Sequence, residues 1–134
     1  MKENTNALAL IQPDADELEA KKALYNLVNS AEISLGDCIN KTLSIAAAAF
    51  TECDVTDRNT GELKRRARVL AIDSDGKTYH TTSAGLVSSF ENLATIFGQR
   101  HSKYENYVVF QPAVVGTVEK KPTPNGQTYV FKLN

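Results

Sequence analysis

The sequence predicts a mainly β domain with helices: five strands in the order strand, strand, strand, helix, strand, strand, preceded by one extra helix. Three observations predict it. Residues 41–83 hold three strand-like stretches parted by two turn signals, D-R-N-T-G at 57–61 and D-S-D-G at 73–76, as short hairpins require. Leu86, Phe90, Leu93 and Phe97 then recur at steps of four, three and four, one apolar stripe of a helix. Two more stretches, 107–119 and 127–133, flank a Pro- and Gly-bearing loop at 121–126, the pattern of a second hairpin.

Each element has local reasons. Residues 1–12 read as a flexible start. Pro13 and Asp14 open a helix running to about Asn29 or Ser30, with Asp14 as cap and Glu17 as its reciprocal partner. Glu17 and Lys21 pair at i, i+4. Leu24, Leu27, Val28 and Ala31 line one face, with Leu18 nearby, and such a face packs either on the body or on a second copy. Ile33 to Asn40 reads as a short turn or bend. Lys41 to Val55 is a long strand, with Leu43, Ile45, Ala47 and Ala49 on one side and Thr42, Ser44 and Ala46 on the other; its small side chains suit a strongly bent barrel strand. The second strand spans about Leu63 to Ile72, and Gly76 is free to take positive φ in the next turn. Lys77 to Ser83 is the third strand. Ser83 caps the helix Ala84–Phe97 and Gly98 stops it. Gln99 to Asn106 is a polar loop. In the fourth strand Pro112 marks an edge or a bulge. In the fifth, Tyr129, Phe131 and Leu133 alternate with Thr128, Val130 and Lys132. Phe50, Phe90, Phe97 and Phe131 are expected in the core. Residues 1–32 thus read as an arm and residues 33–134 as the domain.

A chain of 134 residues supports one domain with a real core. Its 42% hydrophobic and 23% charged residues are those of a soluble globular protein. No apolar run nears the ~20 residues that span a bilayer, and M-K-E-N-T-N lacks a signal peptide's apolar region, so the expected place is the cytoplasm, with no membrane partner. Cys38, Cys53, His80 and His101 follow no zinc spacing; the cysteines are expected to be reduced and structural, and no cofactor is implied. Charge is uneven: residues 1–37 carry three cations and seven anions, the remainder twelve cations and nine anions.

A helix between the third and fourth of five strands is the connectivity of the OB fold, a partly open Greek-key barrel that binds oligonucleotides and oligosaccharides on its second and third strands and their flanking loops. In this chain those two strands carry K-R-R-A-R, four cations in five residues at Lys64, Arg65, Arg66 and Arg68, and then Tyr79 and His80. Cations neutralise phosphates and flat rings stack on unpaired bases. The plainer account is that a basic strand keeps a sheet edge soluble and unpaired.

Four passages carry a resemblance: I-S-L-G-D-C-I-N-K-T-L-S-I at 33–45, D-R-N-T-G-E at 57–62, R-A-R-V-L-A-I-D-S-D-G-K-T-Y-H-T-T-S-A-G-L at 66–86, and F-E-N-L-A-T-I-F-G at 90–98. They resemble the small single-stranded DNA-binding proteins of bacteriophages and mobile elements. The resemblance spans about residues 33–98. It implies an OB-fold protein that coats single-stranded DNA without sequence readout in phage or plasmid replication. Such proteins often stack bases on a tryptophan, which this sequence lacks.

The candidate contacts are therefore Lys64, Arg65, Arg66, Arg68, Lys77, Tyr79 and His80 around the first hairpins. Arg66 and Arg68 share a face that Arg65 does not, and only one of Tyr79 and His80 shares it. Arg100, Lys103, Tyr104 and Tyr107 form a second basic and aromatic group, unless they only cover the helix end. Lys120 and Lys121 flank the last hairpin, and Tyr129 either stacks on a base or lies in the core. Catalysis finds no support: strand alternation keeps Asp73, His80 and Ser83 out of a relay, and no glycine-rich phosphate loop or metal cluster is present in the sequence. Two competing readings stay open, an interaction module of a replication complex and an RNA-binding protein. Replication proteins and a second copy of the chain are further expected partners.

Overall fold

The computed structural model describes residues 31–100, 107–124 and 126–134, with the separate positions Leu18, Lys22, Tyr25–Leu27 and Asn29. The expected cap at Asp14 with Glu17, the Glu17–Lys21 pair, Leu24 and Val28 lie outside the described residues; the six separate positions are all helical. The elements are β1 (Ile33–Ser34), β2 (Thr42–Thr56), β3 (Leu63–Asp73), β4 (Thr78–Thr81), α1 (Ala84–Phe97), β5 (Gln99–Arg100), β6 (Tyr107–Thr123) and β7 (Gly126–Leu133). The architecture is mainly β, one curled half-barrel sheet in the order β1-β4-β3-β2-β6-β5, with β7 also on β6.

The turns form where their residues favour them. At the β2–β3 turn, the Asp57 carboxylate accepts from the Asn59 and Thr60 amides at 2.7 and 3.2 Å, an Asx-type lock. At the β3–β4 turn Gly76 has φ 89°. There Asp73 accepts the Asp75 and Lys77 amides at 2.9 Å each. β4 is shorter than the expected 77–83, because the Ser83 amide turns back to the Thr81 hydroxyl at 3.0 Å.

Two clusters of buried apolar side chains cover the two sheet faces. The inner one joins Val69, Ala71, Val108 and Phe110 to Leu86, Phe90 and Leu93 of α1, and the Phe90 and Phe131 rings meet at 5.3 Å. The outer one groups Leu27 with Ala47, Ala49, Leu70, Ile72, Tyr107 and Val109. This corrects the expected single face of β2. Leu43 and Ile45 belong to the inner cluster, Ala47 and Ala49 to the outer. The cause is a bulge: Ile45 pairs with Val114 and Ala47 with Val109, so residues 110–113 of β6 stand against Ala46 alone. Pro112 lies in that bulge, after a cis peptide bond. The alanine run is small because it is buried on both sides.

Other details also differ from expectation. Residues 33–34 are a strand parallel to β4. Beyond them, a one-turn 3-10 helix at Leu35–Asp37 leads to Asn40, whose amide donates to the Val118 carbonyl at 2.8 Å. One short stretch thus touches both β4 and β6. Ser83 sits at the N-cap of α1, but its hydroxyl makes no capping bond. Gly98 ends the helix in extended conformation rather than left-handed; it is needed for space, since a Cβ there would meet the Val108 side chain and the Ala94 carbonyl. Gln99–Arg100 pairs with β6 instead of looping. The last hairpin is tighter than expected, with Lys121, Pro122 and Thr123 inside β6. Phe97, expected in the core, is half exposed, and Ala94 takes the buried place one turn earlier.

Candidate nucleic-acid interface

β6 pairs with β2 only at Thr42–Ala49, and β4 pairs with β3 only at Val69–Ile72. The rest of β2 and β3, residues 50–56 and 63–68, is a two-stranded ribbon with no lateral strand among the described residues. It carries the cationic run.

Register decides which cations share a face. Lys64, Arg66 and Arg68 stand opposite Val55, Cys53 and Thr51, three uncharged partners on the same side. Leu70 and Ile72 continue this row into the outer cluster, so the row is the outer face. On the inner face Arg65 stands opposite Asp54, and Ala67 opposite Glu52. The Arg65 guanidinium lies 3.2 Å from each of those carboxylates. Exposed pairs of this kind add little to stability, but they cancel charge where they sit. Both acids favour the charged guanidinium, Asp54 first, and raise its pKa. A cavity of about 430 Å³ at this side is lined by Glu52, Arg65 and, from α1, Glu91, with Arg68 of the outer row at its rim. The inner face is therefore acidic on balance, and the outer face cationic. At the ribbon's tip the Lys64 ammonium pairs with Asp57 at 2.9 Å. That pairing is the chief cause of a lowered Asp57 pKa, the Asn59 and Thr60 amides adding to it.

The same bookkeeping places the rings. Tyr79 stands opposite Ala71 and His80 opposite Leu70, so His80, half-buried, shares the outer face with Arg66 and Arg68. Tyr79 points inward. It is 4% exposed, and its hydroxyl donates to the Asp73 carboxylate at 2.7 Å. Burial, then that hydrogen bond, pushes its phenol pKa up. Tyr107 is 1% exposed in the outer cluster, and burial raises its pKa as well. Neither ring is open to a base, which corrects two expected contacts. Tyr107 sits where β6 is buried on both sides, and Tyr79 faces the inner cluster.

The remaining candidates do not join the ribbon. Lys77 lies at the β3–β4 turn, at the far end of β3 from Arg66. Arg100 is exposed on β5. Lys103 and Tyr104 lie outside the described residues. Lys120 stands opposite Tyr129, and Lys121 opposite Thr128, on the β6–β7 hairpin. This hairpin leaves the sheet past Thr117, which pairs with Thr42 at the start of β2, whereas the cationic ribbon leaves from the other end of β2. The Tyr129 ring is half-buried against the inner cluster. Sequence reasoning passed over Arg58. With Asp57, Lys64, Arg66 and Thr82 it lines an open cavity of about 440 Å³ on the ribbon's outer side. Its signal was there to read, a cation in the turn that joins the basic strand to its partner.

No helix among the described residues is long and apolar enough to cross a membrane. Residues 3–117 match the family described as phage single-stranded DNA-binding protein, of the Phi29 type. Among curated proteins and among solved structures, none matches the chain. A charge-sorted ribbon suits a polyanion, and a match over most of the chain says which one: the chain belongs to the phage single-stranded DNA-binding protein family and binds single-stranded DNA in phage replication.

Proposed function

We propose that single-stranded DNA lies along the outer face of the β2–β3 ribbon, with its phosphates on Arg66 and Arg68 and the field of Lys64 and Arg58 around them. The carrying observation is the sorting of charge between the ribbon's faces. On the outer side three cations stand opposite uncharged residues; on the inner side one cation stands between two acids. A strand laid on the inner side meets Glu52, Asp54 and Glu91 and is repelled. His80 continues the outer row toward the sheet and offers a ring. Lys120, Lys121 and Tyr129 serve as a second station at the other hairpin. Binding is by phosphate neutralisation and stacking, without base readout and without catalysis. The curled sheet acts as an OB-type barrel plugged by α1, residues 33–134 forming the body and residues 1–32 an arm. The protein coats DNA in the host cytoplasm, where replication proteins are its further partners.

The test is titration of the full chain with oligo(dT) at several salt concentrations, with duplex and oligo(rU) as comparisons. The double variant Arg66→Ala with Arg68→Ala is expected to bind more weakly and to lower the salt slope by about 1.4, since each lost phosphate contact on a single strand removes roughly 0.7. Arg65→Ala is expected to stay within about twofold of wild type, because its charge is already cancelled. Equal losses for Arg65→Ala and the double variant would sink the assignment of faces. Preference for duplex would sink the single-strand reading, and oligo(rU) binding above oligo(dT) would favour RNA.

A further inference from the structure

We infer that Tyr25, with Lys22 and Asn29 beside it on the helical N-terminal segment, is a base-stacking station that extends the interface beyond the ribbon. The inference rests on the ribbon reading and adds to it the most exposed tyrosine among the described residues. Cations hold a single strand by its phosphates, but tolerant binding also needs exposed rings. Tyr79 and Tyr107 are 4% and 1% exposed, and Tyr129 packs on the inner cluster. Tyr25 is 69% exposed.

Its position follows from Leu27. That side chain is buried in the outer cluster, which also holds Leu70 and Ile72, on the face that bears Arg66 and Arg68. Leu70 is two residues from Arg68 on β3, about 7 Å along the strand, so the cluster that buries Leu27 begins where the cationic row ends. Two helical steps back from Leu27 is a rotation of about 200°. Tyr25 therefore points away from the sheet while Leu27 grips it. Lys22 and Asn29, three residues before it and four after, fall on the same outward stripe, and both are exposed. The stripe holds a cation for a phosphate, a ring for a base and an amide for a base edge.

The stripe also holds Leu18, 58% exposed, so a second copy of the chain is the rival occupant. The experiment uses the full chain and oligo(dT). Tyr25→Ala is expected to lose affinity about five- to a hundredfold with the salt slope unchanged. Tyr25→Phe, which keeps the ring, should stay within about twofold, and Lys22→Ala should lower the slope by about 0.7. Sedimentation without DNA should give the same mass for wild type and Tyr25→Ala, and far-ultraviolet circular dichroism the same fold. If Tyr25→Ala binds like wild type while the Arg66→Ala, Arg68→Ala chain binds weakly, the inference is overturned and the ribbon reading stands. A loss accompanied by a smaller sedimenting mass gives the stripe to the second copy and also overturns it. A wild-type chain that ignores oligo(dT) overturns both.

Discussion

Asp57 shows how one side chain shapes the cationic tip. Its carboxylate takes the Lys64 ammonium and the Asn59 and Thr60 amides together, and its pKa is lowered by them in that order. A carboxyl whose folded pKa lies below its unfolded value near 4 adds stability above that value, and loses it as pH falls through the lowered one. The thermal midpoint of wild type should therefore exceed that of Asp57→Asn at neutral pH, and the gap should close below about pH 4. A gap that stays constant from pH 7 to pH 3 would contradict the role given to the charge. At this scale the sequence was readable only in part. It showed that Arg66 and Arg68 share a side and that Tyr79 and His80 do not. It had no means of saying which ring joins which arginines, because that depends on pairing across the turn, Leu70 with His80.

Strands and turns are where local chemistry speaks most clearly. The helix Ala84–Phe97 and the two turns after β2 and β3 stand where stripe and turn residues put them. What escaped was non-local. The alanine run reads as one alternating face, yet the bulge at Ala46 is imposed by β6, some sixty residues further on, and it hands Ala47 and Ala49 to the outer cluster. Gly98 looks like a left-handed stop and is instead a gap for Val108 to enter. Gly98→Ala should therefore destabilise by about 1–3 kcal/mol, the usual cost of overpacking. Thermal unfolding of the variant checks this, and an unchanged or raised midpoint would show that the neighbours yield freely.

Among the described residues, the sheet has a core flanked by strands on both sides and a ribbon flanked by strands on neither. Local stability should follow that division. In hydrogen exchange, amides of Thr51–Thr56 and Leu63–Arg68 are expected to exchange before those of Ala47–Ala49 and Val69–Ile72, and single-stranded DNA should slow the first group most. Uniform protection along β2 and β3 would mean that the ribbon is held by something other than its own ladder. The mainly β architecture was legible because each strand announces itself. The curl was not, since Ile33 and Ser34 read as a bend and nothing nearby reveals that they lie on β4 while Asn40 reaches β6. That stretch works as a belt buckled to two strands that are otherwise strangers in the sheet. Its length sets how tightly the sheet rolls, so one inserted residue there would slacken the roll without breaking a single long ladder, and the curvature would change while the ladders held.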